Sequence, residues 1–197
     1  MIVFKGFNKE LRSIYGDGKK ETCQFHPGET KKVEESKTVR CGFHCCENPF
    51  GCLAYYSLDG RNRFFKVEAR GSIDEDATGR IACTEITLLE ELTPVQLAYE
   101  GMRYIIMHPD RADWKYTDHE VKVGLDEQEA KAAGHIAIAR GINPRVKGPA
   151  GSILGLIQEN GKEIIDAKLI VVKEEQADKW LNMSSVRKRE VDKVEES

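Results

Sequence analysis

The chain has 197 residues, 40% of them hydrophobic and 32% charged, enough for one substantial core with an appendage. A formal charge of -3 gives no general attraction to phosphate backbones, so nucleic acid is not an expected partner. The opening MIVFKGFNKELR lacks a signal-type apolar region and no later run is long enough to span a bilayer, which reads as a cytoplasmic protein whose six cysteines stay reduced.

From Met1 to about Thr87 the pattern is one of short strands. IVFKGF, KTVRCGFH, RFFKVEA and RIACTEITLL are β-branched and aromatic runs, separated by the turn clusters YGDGKK, HPGET and LDGRN. One short helix interrupts them. It is expected to start at Asn48 as cap with Pro49 in the first position, turning Phe50, Leu53, Ala54 and Tyr55 or Tyr56 toward the sheet.

A second helix follows Leu92. Thr93-Pro94-Val95-Gln96 is a capping box, with Leu92 and Leu97 as its staple. Val95, Ala98, Met102, Ile105 and Ile106 recur at helical spacing until Pro109 ends the helix. The polar stretch DRADWKYTDHEVKVGLDEQE reads as a loop, with Trp114 and Tyr116 folding back over the core.

From Ala130 small residues alternate with Ile, and Gly134, Gly141 and Gly148 recur at a step of seven, which suggests Gly-punctuated rungs of a β-roll. A hairpin turning at Glu159-Asn160-Gly161-Lys162 closes this part. Beyond Lys173 a charged tail carries Trp180 and Leu181 as anchors. The expected fold is therefore α+β, of mainly antiparallel short strands with two helices, divided as 1–126, a β-roll stub and hairpin over 127–172, and a tail over 173–197.

Two Cys-x-x-His units, Cys23 to His26 and Cys41 to His44, together make a set that tetrahedral zinc accepts, so zinc is a candidate cofactor. Against it, a Cys and a His three apart on a strand point to opposite faces, and free thiols are commonly packed as small hydrophobes. The favoured reading leaves the cysteines in the core, with no cofactor. No residue is singled out as catalytic, since no histidine lies where it would activate a thiol.

The set FKGFNKEL, CGFHCCENPFGCLAYY, RFFKVEARG, RIACTEITLLEELTP, AAGHIAIARG and GSILGLI resembles an uncharacterised family of phage and prophage proteins. That resemblance implies a phage-encoded accessory protein in a bacterial host, acting by binding a host protein, for instance a component of a defence system such as a CRISPR effector. A second resemblance is to the NAD-binding core of ADP-ribosyltransferases. It implies a nucleotide site with His44 and Tyr55 or Tyr56 as cofactor-binding residues, although Lys5-Gly6 replaces that family's Arg or His and no Glu is placed as catalytic acid. The Gly-punctuated strands resemble the trimeric heads of bacterial adhesins and, with their open edges, imply a homo-oligomer through Ala130 to Val172.

Overall fold

Val3, Lys5 and Phe7 alternate with Phe4 and Gly6 along β1 (Ile2–Asn8), so this strand offers apolar groups to both of its faces. The computed structural model describes residues 1–13, 23–77, 79–161 and 163–186. The turn expected at 15–20, Lys162 of the hairpin turn and the end of the tail lie outside them. The fold is α+β, and the chain divides into two compact units, Met1–Leu97 and Ala98–Ser197. Asp126, where the sequence suggested a boundary, lies inside a strand.

In the first unit β1, β2 (Thr30–Lys32), β3 (Phe43–Cys46), β4 (Asn62–Glu75) and β5 (Arg80–Leu92) form a five-stranded sheet in the order β2-β5-β3-β1-β4. All of its pairings are antiparallel. Because β4 also pairs with β5, the path β5-β3-β1-β4 closes on itself. Closure requires the long β4–β5 hairpin to bend, and it does so at register shifts between Lys66 and Val67 and between Arg70 and Ile73. The second bend uses Gly71 at φ 75°, where a side chain would run into the Thr84 hydroxyl. Inside the ring the core includes Phe7, Phe25, Phe43 and Phe65. Phe7 stands edge-on to Phe65 at 5.7 Å and Phe25 edge-on to Phe43 at 5.8 Å between ring centres, the arrangement that ring quadrupoles favour.

The strand expected over KTVRCGFH is shorter than its β-branched residues suggested. Lys37 to Cys41 form a tight turn, closed by the Cys41 N–H donating to the Lys37 carbonyl at 3.0 Å, and only Phe43 onward enters the sheet. After β3 comes the short helix, of the 3-10 type, over Pro49–Ala54. Asn48 caps it by accepting from the Phe50 N–H at 3.0 Å, as expected. Phe50, Cys52, Leu53 and Tyr56 are buried, whereas Ala54 is exposed, because a 3-10 turn brings every third residue to one face instead of following the α period.

The helix α1 (Pro94–Met107) runs across the division between the units. Its capping box forms, with the Thr93 N–H donating to Gln96 Oε1 at 2.9 Å and the Gln96 N–H to Thr93 Oγ1 at 3.3 Å. Its inward stripe is Leu97, Ala98, Met102 and Ile105, while Val95 and Ile106, expected inside, are 37% and 38% exposed.

The second unit holds β6 (Tyr116–Thr117), β7 (Val121–Glu129), β8 (Ile136–Lys147), β9 (Ile153–Asn160), β10 (Glu163–Val171) and β11 (Leu181–Asn182). They make a six-stranded sheet in the order β10-β9-β8-β7-β6, with β11 paired to β8. β6 and β7 lie in the stretch read as loop; Val121 and Val123, two residues apart, are both buried, a period-two signal hidden by the charges around them. Gly141 sits within β8, so the seven-residue glycine step does not mark a rung. The parallel ladder instead sets Val121 beside Ile136 and Ile136 beside Ile153, more than twice that step. Helix and sheet approach closely at Gly155, where a Cβ would stand 2.7 Å from Met102 Sδ and 2.8 Å from Ile138. The Asn-Gly hairpin is present, Asn160 pairing with Glu163. Trp114 is buried as expected, with the Arg140 guanidinium 5.3 Å above its ring. Among the described residues no helix is long and apolar enough to cross a membrane.

The aromatic core carries a direct expectation. Phe7→Ala removes a fully enclosed ring from a closed ring of strands that cannot collapse onto the void, so the unfolding free energy falls by about 3–5 kcal/mol. A urea titration would register this as a lower midpoint at unchanged slope.

Candidate functional site

The closed ladder of the first unit has one thin seam. β1 and β3 register at a single pair, Phe4 with Cys46, whereas on its other edge β1 pairs along its whole length, from Ile2 with Glu68 to Asn8 with Asn62. Continuing the seam would set Gly6 opposite His44, and no pair forms there. The Tyr56 ring lies against Gly6 so closely that any Cβ would collide with it.

At this seam lies a cavity of about 440 Å³. It is lined by β1 at Lys5 and Gly6, by the 37–41 turn at Val39 and Arg40, by His44 and Cys46 of β3, by Tyr55 and Tyr56 beyond the 3-10 helix, and by Arg80 of β5. His44, Tyr55 and Tyr56, singled out from the sequence, therefore converge. Arg40, Arg80 and Cys52 join them unannounced, and so does Lys5, noted from the sequence only as a departure from the transferase pattern.

Lys5 is the unusual member. It is only 6% exposed, and its Nζ donates to the His44 carbonyl, on the strand across the seam, at 2.7 Å. Nζ also lies 5.3 Å from the centre of the Phe7 ring and 5.9 Å from that of Phe25, whose faces attract a cation. Among the described residues no carboxylate forms an ion pair with it. An enclosed ammonium so placed still has donors to offer.

The other charges are held outward of it. Arg80 is fixed by the Tyr55 hydroxyl and by Asp76, whose Oδ2 is 2.7 Å from Nε; both contacts raise its pKa and keep the guanidinium permanently charged. Arg40 is exposed and rides on the turn. That turn is pinned by Asp74, which accepts from Lys37 Nζ at 2.8 Å, from the Thr38 N–H at 2.8 Å and from the Thr38 hydroxyl at 2.7 Å. The Lys37 contact foremost, with the Thr38 donors behind it, holds the Asp74 carboxyl well below the usual carboxylate range. Val39, at the tip, is forced to φ 67°, a conformation that costs a β-branched residue energy and that surrounding contacts must enforce.

His44 couples the turn to the strand. Its Nε2 accepts from the Val39 N–H at 3.1 Å, so that nitrogen carries no proton. Burial first, then the charges of Lys5 and Arg80, lower the His44 pKa against a backbone contact at Lys37 that raises it, and the ring is neutral at pH 7. Of the paired thiols, Cys52 is pushed well up by its hydrogen bond to Cys46 and by burial and stays neutral, while the same hydrogen bond lowers the pKa of Cys46. No Asp or Glu stands among the described residues lining the cavity, whose charged groups are all cations.

The zinc reading fares differently. Cys23 and His26 are exposed, Cys41 is half-buried in the turn and His44 faces the cavity. Among the described residues no three His, Cys, Asp or Glu gather in a metal-holding arrangement, so the two Cys-x-x-His units do not combine. Cys45 and Cys83 pack as thiols in the barrel core. The polar loop before β7 spends its acids locally: Asp113 accepts from the Tyr104 hydroxyl at 2.6 Å, and Asp118 accepts from the Glu120 and Val121 N–H groups.

The lowered His44 pKa makes stability depend on pH in a definite direction. As pH falls, the unfolded chain takes up this proton before the folded protein does, so this contribution is complete above about pH 6.5 and is lost as pH falls below it toward the folded pKa. The melting temperature of the wild type is expected to drop over this interval, and that of His44→Gln to drop less. Superimposable curves for the two proteins would show that His44 is not the group responsible.

The family described as "Domain of unknown function (DUF7666)" matches residues 1–100, which include every strand of the closed ladder and every residue lining the cavity. No curated protein and no solved structure matches the chain. By that match over half its length, the chain belongs to the DUF7666 family.

Proposed function

We propose that the Met1–Leu97 unit binds a small phosphate-bearing ligand of the nucleotide class in the cavity between β1 and β3. The observation that carries this reading is the convergence of Lys5, Arg40 and Arg80 with Tyr55, Tyr56 and neutral His44 around one space without a lining carboxylate. A volume of about 440 Å³ lies within the range of sites that hold a compact small molecule. Anionic oxygens satisfy the spare donors of Lys5 and the guanidinium of Arg80, with Arg40 closing from the rim. A flat ring finds the tyrosines, and the His44 ring supplies a polar edge without adding charge. The reading is one of binding: the neutral imidazole of His44 has its basic Nε2 taken by the Val39 N–H, and no carboxylate lines the cavity among the described residues. It keeps the nucleotide half of the ADP-ribosyltransferase resemblance and leaves its catalytic half aside. Inhibition of a host protein remains compatible with it, but that idea has no surface residues to its name, whereas this one does.

Calorimetric titration with ADP-ribose, NAD and inorganic pyrophosphate tests the reading. Binding by at least one of them at micromolar to sub-millimolar concentration is expected, with pyrophosphate weaker than the nucleotides because it forgoes the ring. Arg80→Ala removes one charged contact, worth about 1.5–3 kcal/mol, and should weaken binding by roughly ten- to a hundredfold while leaving the melting temperature little changed. Absence of heat for all three ligands at about millimolar concentration, with folded protein, would sink the proposal.

A further inference from the structure

Cys46 and Cys52 line the cavity of the first unit and touch one another there, yet the ligand reading gives them no task. We propose that they form a reversible redox pair: a small hydroperoxide entering the cavity oxidises Cys46, and Cys52 closes onto it as a disulfide. The proposal stands whether or not a nucleotide fits the same space.

Local structure brings the two thiols together. Cys46 ends β3, Cys52 lies in the 3-10 helix that follows, and the Asn48 cap turns the chain between them. Their side chains are hydrogen-bonded to each other, so the two atoms that would join are already neighbours. Gly51 permits this approach. A Cβ there would stand 3.2 Å from Cys46 Cβ and 3.3 Å from its Sγ, and since Gly51 has no positive φ, it is the closeness of Cys46 that calls for glycine. Both residues are enclosed, at 8% and 2% exposure, but a cavity of about 440 Å³ has ample room for a peroxide.

The surroundings give the two sulfurs different roles. The hydrogen bond from Cys52 foremost, then the charges of Lys5 and Arg80, lower the pKa of Cys46 against burial and the Asp76 carboxylate, whereas Cys52 is pushed well up. Cys46 is therefore the attacking thiol and Cys52 the resolving one. The Cys46 thiolate attacks one peroxide oxygen, the O–O bond breaks, and the departing oxygen takes up a proton, leaving a sulfenic acid on Cys46. The Cys52 sulfur then attacks the Cys46 sulfur; the S–S bond forms, the S–O bond breaks, and the hydroxyl leaves with the Cys52 proton as water. Two thiols and one hydrogen peroxide thus give one disulfide and two waters, and an external dithiol reverses the change by exchange. Cys45 and Cys83 provide the internal comparison. They are hydrogen-bonded in the same way, but they pack in the apolar core and Cys83 does not line the cavity.

The test uses the full chain with Cys23→Ser and Cys41→Ser, which removes the exposed and half-buried thiols. About one equivalent of hydrogen peroxide at pH 7 should lower its mass by two hydrogens, and dithiothreitol should restore it. Chymotryptic peptides of the unreduced protein should join segment 44–50 to segment 51–53, with fragmentation placing the bond at Cys46. Adding Cys52→Ser should abolish the disulfide and leave a sulfenic acid at Cys46 that dimedone traps; Cys46→Ser should give neither product. The peptide map is read without either of these two changes, so it decides the matter even where one of them impairs folding. Folded protein that loses no mass, a gain of oxygen atoms in place of that loss, or a bond through Cys45 or Cys83 would each overturn the proposal. Ligand titration of the reduced protein judges the nucleotide reading separately.

Discussion

The bond from Lys5 Nζ to the His44 carbonyl is the interaction on which the first unit turns. A closed ladder needs every neighbouring pair of strands to share hydrogen bonds, and β1 and β3 share one registered pair. Where that pairing thins, a backbone group left without a partner costs up to about 1–3 kcal/mol. The ammonium spans the gap by donating to the His44 carbonyl on the strand across it. A charge is desolvated in the process, which is favourable only with further partners. The ring faces of Phe7 and Phe25 provide some of that compensation. The cavity provides the rest of the opportunity, because it is from this side that an anion can reach the remaining donors.

The turn over 37–41 follows from the same constraint. With β3 beginning only at Phe43, the residues before it are free to fold across the cavity mouth, and Asp74 fastens them there. The Val39 N–H then reaches His44 Nε2. This bond requires the imidazole to be neutral on that nitrogen, and burial first, with the charges of Lys5 and Arg80 behind it, favours the neutral ring. Strain at Val39, the state of the His44 ring and the position of Arg40 are thus linked through one short segment. Protonating His44 would remove its acceptor at Nε2 and loosen the tip that carries Arg40.

Much of this was legible in the sequence where a single physical signal dominates. The Asn48-Pro49 cap, the Thr93 to Gln96 box and the Asn160-Gly161 turn each specify local backbone geometry and are found where expected. His44, Tyr55 and Tyr56 could be grouped because strand, short helix and aromatics follow one another closely in the chain. Arg80 could not, since its place in the site depends on the β3–β5 register, a long-range pairing. Lys5 carried a readable signal: a lysine between Val3 and Phe7, on the inward phase of an otherwise apolar strand, is either misplaced or needed. The Cys-x-x-His repeat could not be decided from spacing, for the complementary reason. Equal spacing in two segments says nothing about whether their ends meet, and here one unit ends in an exposed turn while the other faces the cavity.

The second unit shows why periodicity must be read together with the burial it implies. Three glycines at equal spacing look like rungs, yet the first lies in the turn before β8, the second inside that strand and the third just beyond it. Gly134 is required by its φ of 79°. Gly141 and Gly148 answer to crowding instead, their missing Cβ atoms lying against Asp126 and Ser152. Glycine marks either a backbone that must turn left-handed or a place where a neighbour comes too close, and a count of intervals cannot separate the two. The ladder's own repeat is carried by Val121, Ile136 and Ile153, buried residues whose spacing is unequal. Stacked parallel strands need only that successive passes present an apolar residue at the same height. The connections between them can then differ in length without disturbing the core, and a regular step in the sequence is neither required by such a stack nor diagnostic of it.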